Sequence, residues 1–174
     1  MQLIAALLDL CKHSPAIIAI DGPAGAGKTT LAGEIKAACA TKRVAIVHMD
    51  DLYGGWELSA DFTARLLTLV REISQGRAHQ IQIFDSHQGR FNSTRTIDPV
   101  DIVILEGVGS GQSAIRPYLS ALIWMDIEDI QGLTRVLNRD GESIRTQMLE
   151  WQNQQREHFL RERTSESADF ELTT

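Results

Sequence analysis

The chain has 174 residues, 43% hydrophobic and 23% charged, values expected of one globular domain with a full α/β core. Seventeen basic residues against 23 acidic give a net charge of −6, which excludes a surface built to follow a nucleic-acid backbone. No apolar run approaches the ~20 residues that cross a bilayer, so neither a membrane nor a nucleic acid is an expected partner. Cys11 and Cys39 stand in unlike contexts and read as buried free thiols of a reducing, cytoplasmic compartment.

Met1–Leu10 is apolar, lacks a basic leader and carries Asp9, so a short amphipathic helix is expected rather than a signal peptide. Ala16–Asp21 follows as a continuous apolar run and the first strand. Directly after it stands Gly22-Pro-Ala-Gly-Ala-Gly-Lys28-Thr29-Thr30, which fits the G-x-x-x-x-G-K-[ST] phosphate-binding loop. Glycine lets backbone N–H groups turn inward around phosphate oxygens. The expected nucleotide cradle is Gly22, Ala24, Gly25, Ala26, Gly27, Lys28, Thr29 and Thr30, with Lys28 as the point charge and Thr29 as a Mg²⁺ ligand. Leu31, Ile35 and Ala38 recur at helical spacing beyond it.

Further strands are expected over Arg43–His48, Gln80–Phe84, Asp101–Glu106 and Ala121–Ile127, with a short edge strand over Ala168–Leu172. Between them, Ser59 caps a helix whose stripe is Phe62, Leu66, Leu69, Val70 and Ile73, and Gly76 ends it. Ile130, Leu133 and Leu137 mark another helix. The last runs from about Glu142 to Glu162, with Ile144, Met148, Trp151, Gln155 and Phe159 on one side. Gln155 is the polar exception on that stripe, either a glutamine satisfied in the core or a ligand contact. Strands alternating with helices predict a three-layer αβα domain over residues 1–174, with a five-stranded, mainly parallel sheet.

Three further signals surround the loop. Asp101-Ile-Val-Ile-Leu-Glu106-Gly107 ends a strand in a carboxylate at the ligand edge of the sheet, where an acid orients Mg²⁺. His48-Met-Asp50-Asp51-Leu-Tyr53 ends another strand there, and one of its acids can accept the proton of an attacking hydroxyl. Asp50 is the expected base, with Asp51 the other candidate. Arg135 and Arg139 share a helix face at i, i+4, and Asp140-Gly141 breaks that helix into a lid over about 138–146. Arginines there can close on ATP and stabilise the transferring phosphoryl group.

The segments Ile18–Ala32, Met49–Tyr53, Val100–Gly107 and Arg135…Arg139-Asp140 together resemble the uridine kinase family, in its order and over most of the chain. The resemblance implies an ATP- and Mg²⁺-dependent small-molecule kinase that phosphorylates a hydroxyl acceptor, most naturally a nucleoside of the uridine or cytidine kind. It implies Asp50, Lys28 and Arg139 as the catalytic set, Thr29 and Glu106 as the metal environment, and Arg135 and Arg139 on the nucleotide. Asp51, Tyr53, Phe84, His87, Arg90 and Gln155 are the candidates for acceptor contacts. The 54–60 stretch is shorter than the family's usual nucleoside-covering insertion, and 84–87 is compressed. The alternative is a nucleotide-binding regulatory NTPase without a small-molecule acceptor. A GTPase switch of that kind would carry an Asn-Lys-x-Asp element, which is absent from the sequence.

Overall fold

A computed structural model describes residues 2–11, 14–85 and 88–174. In chain order the elements are α1 (Gln2–Leu10), β1 (Ala16–Asp21), α2 (Lys28–Ala38), β2 (Val44–His48), α3 (Ala60–Ser74), β3 (His79–Asp85), β4 (Arg90–Ile97), β5 (Ile102–Glu106), β6 (Ala121–Asp126), α4 (Asp129–Asp140), α5 (Arg145–Glu162) and β7 (Phe170–Thr173). The main sheet has five parallel strands in the order β2-β5-β1-β6-β7.

Side chains alternate across this sheet, and each face finds its own helices. Ile17, Val47, Val103 and Leu105 pack with Phe62, Leu66, Leu69 and Val70 of α3 and with Val136, Met148 and Trp151 of α4 and α5. Ile18, Ile20, Ile102, Ile104 and Ile123 pack on the other face against Ala32 and Ile35 of α2 and Leu7 of α1. The result is the three-layer α/β fold. Ser59 Oγ accepts the Phe62 N–H at 3.3 Å and starts α3, whose five-residue stripe is buried as its periodicity requires. Both cysteines are free and buried, Cys11 just after α1 and Cys39 capping α2.

One strand lies elsewhere than expected. The run over Gln80–Phe84 forms, but as β3 of a separate antiparallel hairpin with β4, and β7 takes the fifth place in the main sheet. The β4 sequence Arg-Phe-Asn-Ser-Thr-Arg-Thr-Ile is mostly exposed and polar, so it carries no buried-strand signal. The hairpin packs beside the turn that follows β2. Arg95 of β4 donates to Ile46 O of β2 at 2.6 Å and stands 3.8 Å from the Asp51 carboxylate.

The order β2-β5-β1 positions the candidate site. The chain leaves β1, forms edge strand β2, and only later inserts β5 between them, which opens a crevice at the carboxyl ends of the strands. Register puts Ile20 of β1 and His48 of β2 both opposite Glu106 of β5. The loop after β1 and the acids after β2 and β5 therefore converge on one edge.

Candidate functional site

The loop after β1 opens with Gly22 at φ +138°, and a Cβ there would lie 2.1 Å from Met125 O of β6. Glycine at this position lets the chain leave the strand against its neighbour's backbone. Lys28, 8% exposed, folds its Nζ back onto Gly22 O and Pro23 O, both at 2.7 Å. Burial lowers its pKa, against the opposing pull of Asp21, Glu106 and Asp50. Thr29 Oγ1 donates to Glu106 Oε1 at 3.1 Å, and His48 Nδ1 hydrogen-bonds the same oxygen. This pair of hard oxygens fits Mg²⁺, which takes few protein ligands and completes its octahedron with phosphate and water.

Asp50 has an open face in the crevice, yet enough protein surrounds it that desolvation raises its carboxyl pKa. The Glu106 charge adds to that rise, while Lys28, Arg139 and His48 oppose it. Asp50, Lys28, Glu106 and Arg139 thus share one electrostatic neighbourhood. Asp51 is drawn the other way, toward Arg95 of the hairpin. The structure thereby separates two acids that adjacency alone leaves equivalent.

Arg139 ends α4 in a bidentate pair with Asp140, at 2.7 and 2.6 Å, and the Arg145 pair with Glu142 begins just beyond. The expected lid is therefore compact: Gly141 at φ +95°, one 3₁₀ turn over Glu142–Ile144, then α5. Arg135 reaches the loop's outside, donating to Gly25 O at 3.3 Å and Thr174 Oγ1 at 3.2 Å.

The acceptor candidates scatter. Tyr53 is 5% exposed, with its ring against Phe62 and Trp151 and its hydroxyl on Val108 O, so it belongs to the core. Phe84 packs edge-on against Phe91, 5.2 Å between centroids, beside the Gly54-Gly55 turn. Arg90 is exposed at the far end of the hairpin, bonded to Gln88. Gln155 Oε1 accepts the Ala24 N–H at 3.1 Å, on the loop rather than on the acceptor side. His87 lies outside the described residues.

The sequence reading missed Asp21. Fully buried, it accepts N–H bonds from Gly22, Gly109 and Gly111 at 2.8, 3.0 and 2.8 Å, and so ties the phosphate loop to the turn after β5. The available signal was an acid ending an otherwise apolar strand. Burial pushes its pKa up to about 6, against the lowering effect of those N–H groups and Lys28. His158 on α5, 3% exposed, is pushed the other way by burial, down to about 4. The two act oppositely on stability. Native Asp21 holds a proton that the unfolded chain releases near pH 4, so its contribution falls as pH rises from about 4 to 6. Native His158 resists a proton that the unfolded chain takes near pH 6.5, so its contribution is full above that and is lost toward pH 4. Each is on the order of 3 kcal/mol, and in the wild type they offset. Asp21→Asn removes one arm. Its stability, followed by urea unfolding, should drop more steeply than the wild type's between pH 6.5 and 4.5; parallel curves would refute this account of Asp21.

The fold and the loop define the chain as a P-loop protein. No protein-family model matches it. A chloroplastic uridine/cytidine kinase of Arabidopsis thaliana is 28% identical over 145 residues, covering 74% of this chain and 30% of that one. The uridine kinase of Schizosaccharomyces pombe is 30% identical over 143 residues, 71% of this chain and 31% of that one. The chain thus spans about 30% of the length of these relatives. A solved structure described as a "possible uridine kinase" from Bacillus stearothermophilus superposes with a TM-score of 0.64 at 20% identity, over 99% of this chain and 100% of that one. Sequence and fold together make the chain similar to uridine kinase-like P-loop kinases.

Proposed function

We propose that this domain is an ATP-dependent kinase that transfers the γ-phosphate to a hydroxyl of a small molecule, with a nucleoside of the uridine or cytidine kind as acceptor. The observation that carries the reading is the Asp50 carboxylate sharing its surroundings with Lys28, Glu106 and Arg139. A general base is wanted there, because a hydroxyl attacking phosphorus must lose its proton. The similarity to uridine kinases supports the same reading.

In this scheme the loop N–H groups hold the phosphates, and Lys28 leaves Gly22 O and Pro23 O to meet them. Thr29 and Glu106 would hold Mg²⁺, which neutralises charge on the β- and γ-phosphates when bound. His48 steadies Glu106 through the same carboxylate oxygen that the threonine meets. Asp50 orients the acceptor hydroxyl and takes its proton. Arg139 exchanges Asp140 for the transferring group as the lid segment closes, and so stabilises charge that develops in transfer. Among the described residues no helix is long and apolar enough to cross a membrane. Two free, buried cysteines support our assignment of the domain to a reducing compartment, the cytoplasm.

The test is ADP release measured with a panel of nucleosides, sugars and hydroxy acids. We expect a pyrimidine nucleoside to stimulate turnover at least tenfold over the acceptor-free rate. A rate that no acceptor raises would favour a regulatory NTPase instead and would sink the kinase reading. Stimulation by a different hydroxyl compound would keep the kinase and replace its acceptor.

A further inference from the structure

The polar exception on the apolar stripe of α5 reaches the phosphate loop from 131 residues away. Gln155 is 2% exposed, and its Oε1 accepts the Ala24 N–H at 3.1 Å. A backbone N–H can only donate, so the amide oxygen is the atom committed to the loop. An amide buried on such a stripe is costly unless hydrogen-bonded, and a methionine would fill the same space without that cost.

The same stretch of loop is gripped from α4. Ala24 O lies 2.6 Å from where a Cβ on Gly132 would stand, and Gly132 O lies 2.5 Å from where one on Gly25 would. Arg135 of α4 donates to Gly25 O. The Ala24–Gly25 segment is thus held at its leading N–H by α5 and along its backbone by α4. These two helices flank the segment between Arg139 and Arg145.

We propose that Gln155 is a positioning residue of the nucleotide site: one hydrogen bond from α5 sets the shape of the Ala24–Gly25 segment and links the loop to the helix that follows the lid. The effect on nucleotide rests on the function proposed above; the effect on the loop does not.

The experiment pairs two readouts on the full chain. The first is hydrogen–deuterium exchange of the nucleotide-free protein, and the second is equilibrium binding of a fluorescent Mg·ATP analogue. Gln155→Met keeps volume and removes the acceptor. It should speed exchange in peptides covering Ala24 and Gly25 at least tenfold, leave β5 and α3 unchanged, and weaken nucleotide about tenfold, as loss of a buried hydrogen bond implies. Gln155→Glu retains an oxygen at the same reach and should restore loop protection in the nucleotide-free protein. Ala24→Pro removes the N–H itself, so adding Gln155→Met to it should weaken binding by less than about a further twofold.

Wild-type exchange in Gln155→Met would overturn the proposal. So would equal loss of protection in Gln155→Glu, or multiplying effects in the double variant, since each marks a packing role only. If the analogue binds no protein, wild type included, the nucleotide reading falls, and the exchange comparison still decides whether Gln155 holds the loop.

Discussion

Asp50→Asn should lower acceptor-dependent turnover by roughly a hundredfold to ten-thousandfold, the range general-base removal gives, while Mg·ATP binding stays within about twofold. The substitution keeps size and shape but leaves a group that cannot take a proton. Lys28, Thr29 and Glu106 are untouched, so the nucleotide half of the site persists. The pH profile carries a second signature. Desolvation by the surrounding protein and the Glu106 charge raise the Asp50 pKa, so the acid limb of wild-type kcat/KM should lie above the ordinary aspartate range near pH 4. Below that limb the carboxyl is protonated and cannot serve as base; above it the rate is full. The same Asp50→Asn change should flatten the limb. Steady-state kinetics from pH 4.5 to 8 check both, and a variant retaining a tenth of wild-type kcat would remove Asp50 from the mechanism. Asp51→Asn is the comparison, expected to stay within about fivefold because that acid faces Arg95.

Gly22→Ala should be the most damaging substitution to the fold. At φ +138° the backbone is in a region open essentially to glycine, and the new methyl would sit 2.1 Å from Met125 O. That oxygen belongs to β6, the strand paired along β1, so it cannot retreat without opening the sheet. The flanking Asp21 clamp resists movement on the other side. Strain and overlap together should cost at least about 3 kcal/mol, which for a domain of this size lowers Tm by roughly 6–12 °C. Scanning calorimetry checks the magnitude. A wild-type Tm would mean that the loop leaves β1 by another path. Gly33→Ala is the matched control, since nothing lies within 4 Å of its added methyl.

The αβα layering, and the meeting of the glycine-rich loop, Glu106 and Asp50 at one edge of the sheet, are legible because each is written in a short local pattern. A glycine-rich turn after an apolar run, or an acid ending one, survives without knowledge of the rest of the chain. The Asp21 clamp and the Gln155 bond were illegible for the opposite reason. Their partners stand 90 and 131 residues distant, and nothing in Gly111 or Ala24 marks them as donors to a particular side chain. The Asp50–Asp51 ambiguity is of the same kind. Their surroundings differ through Arg95, which stands by Asp51 on a strand too polar to be recognised as one. Tyr53 shows a local pattern misleading: an aromatic beside the acids reads as an acceptor contact, yet Phe62 and Trp151 enclose it.

The hairpin's contact with β2 has a consequence for solubility. A parallel sheet ends on each side in a strand with unsatisfied backbone groups, and such a border can recruit a strand from another molecule. On the β2 border the hairpin lays a guanidinium against the backbone, donating from Arg95 to Ile46 O. A charged side chain at a strand border is one of the features that discourage pairing with a foreign strand, and on the β2 border it is the small antiparallel hairpin that supplies it.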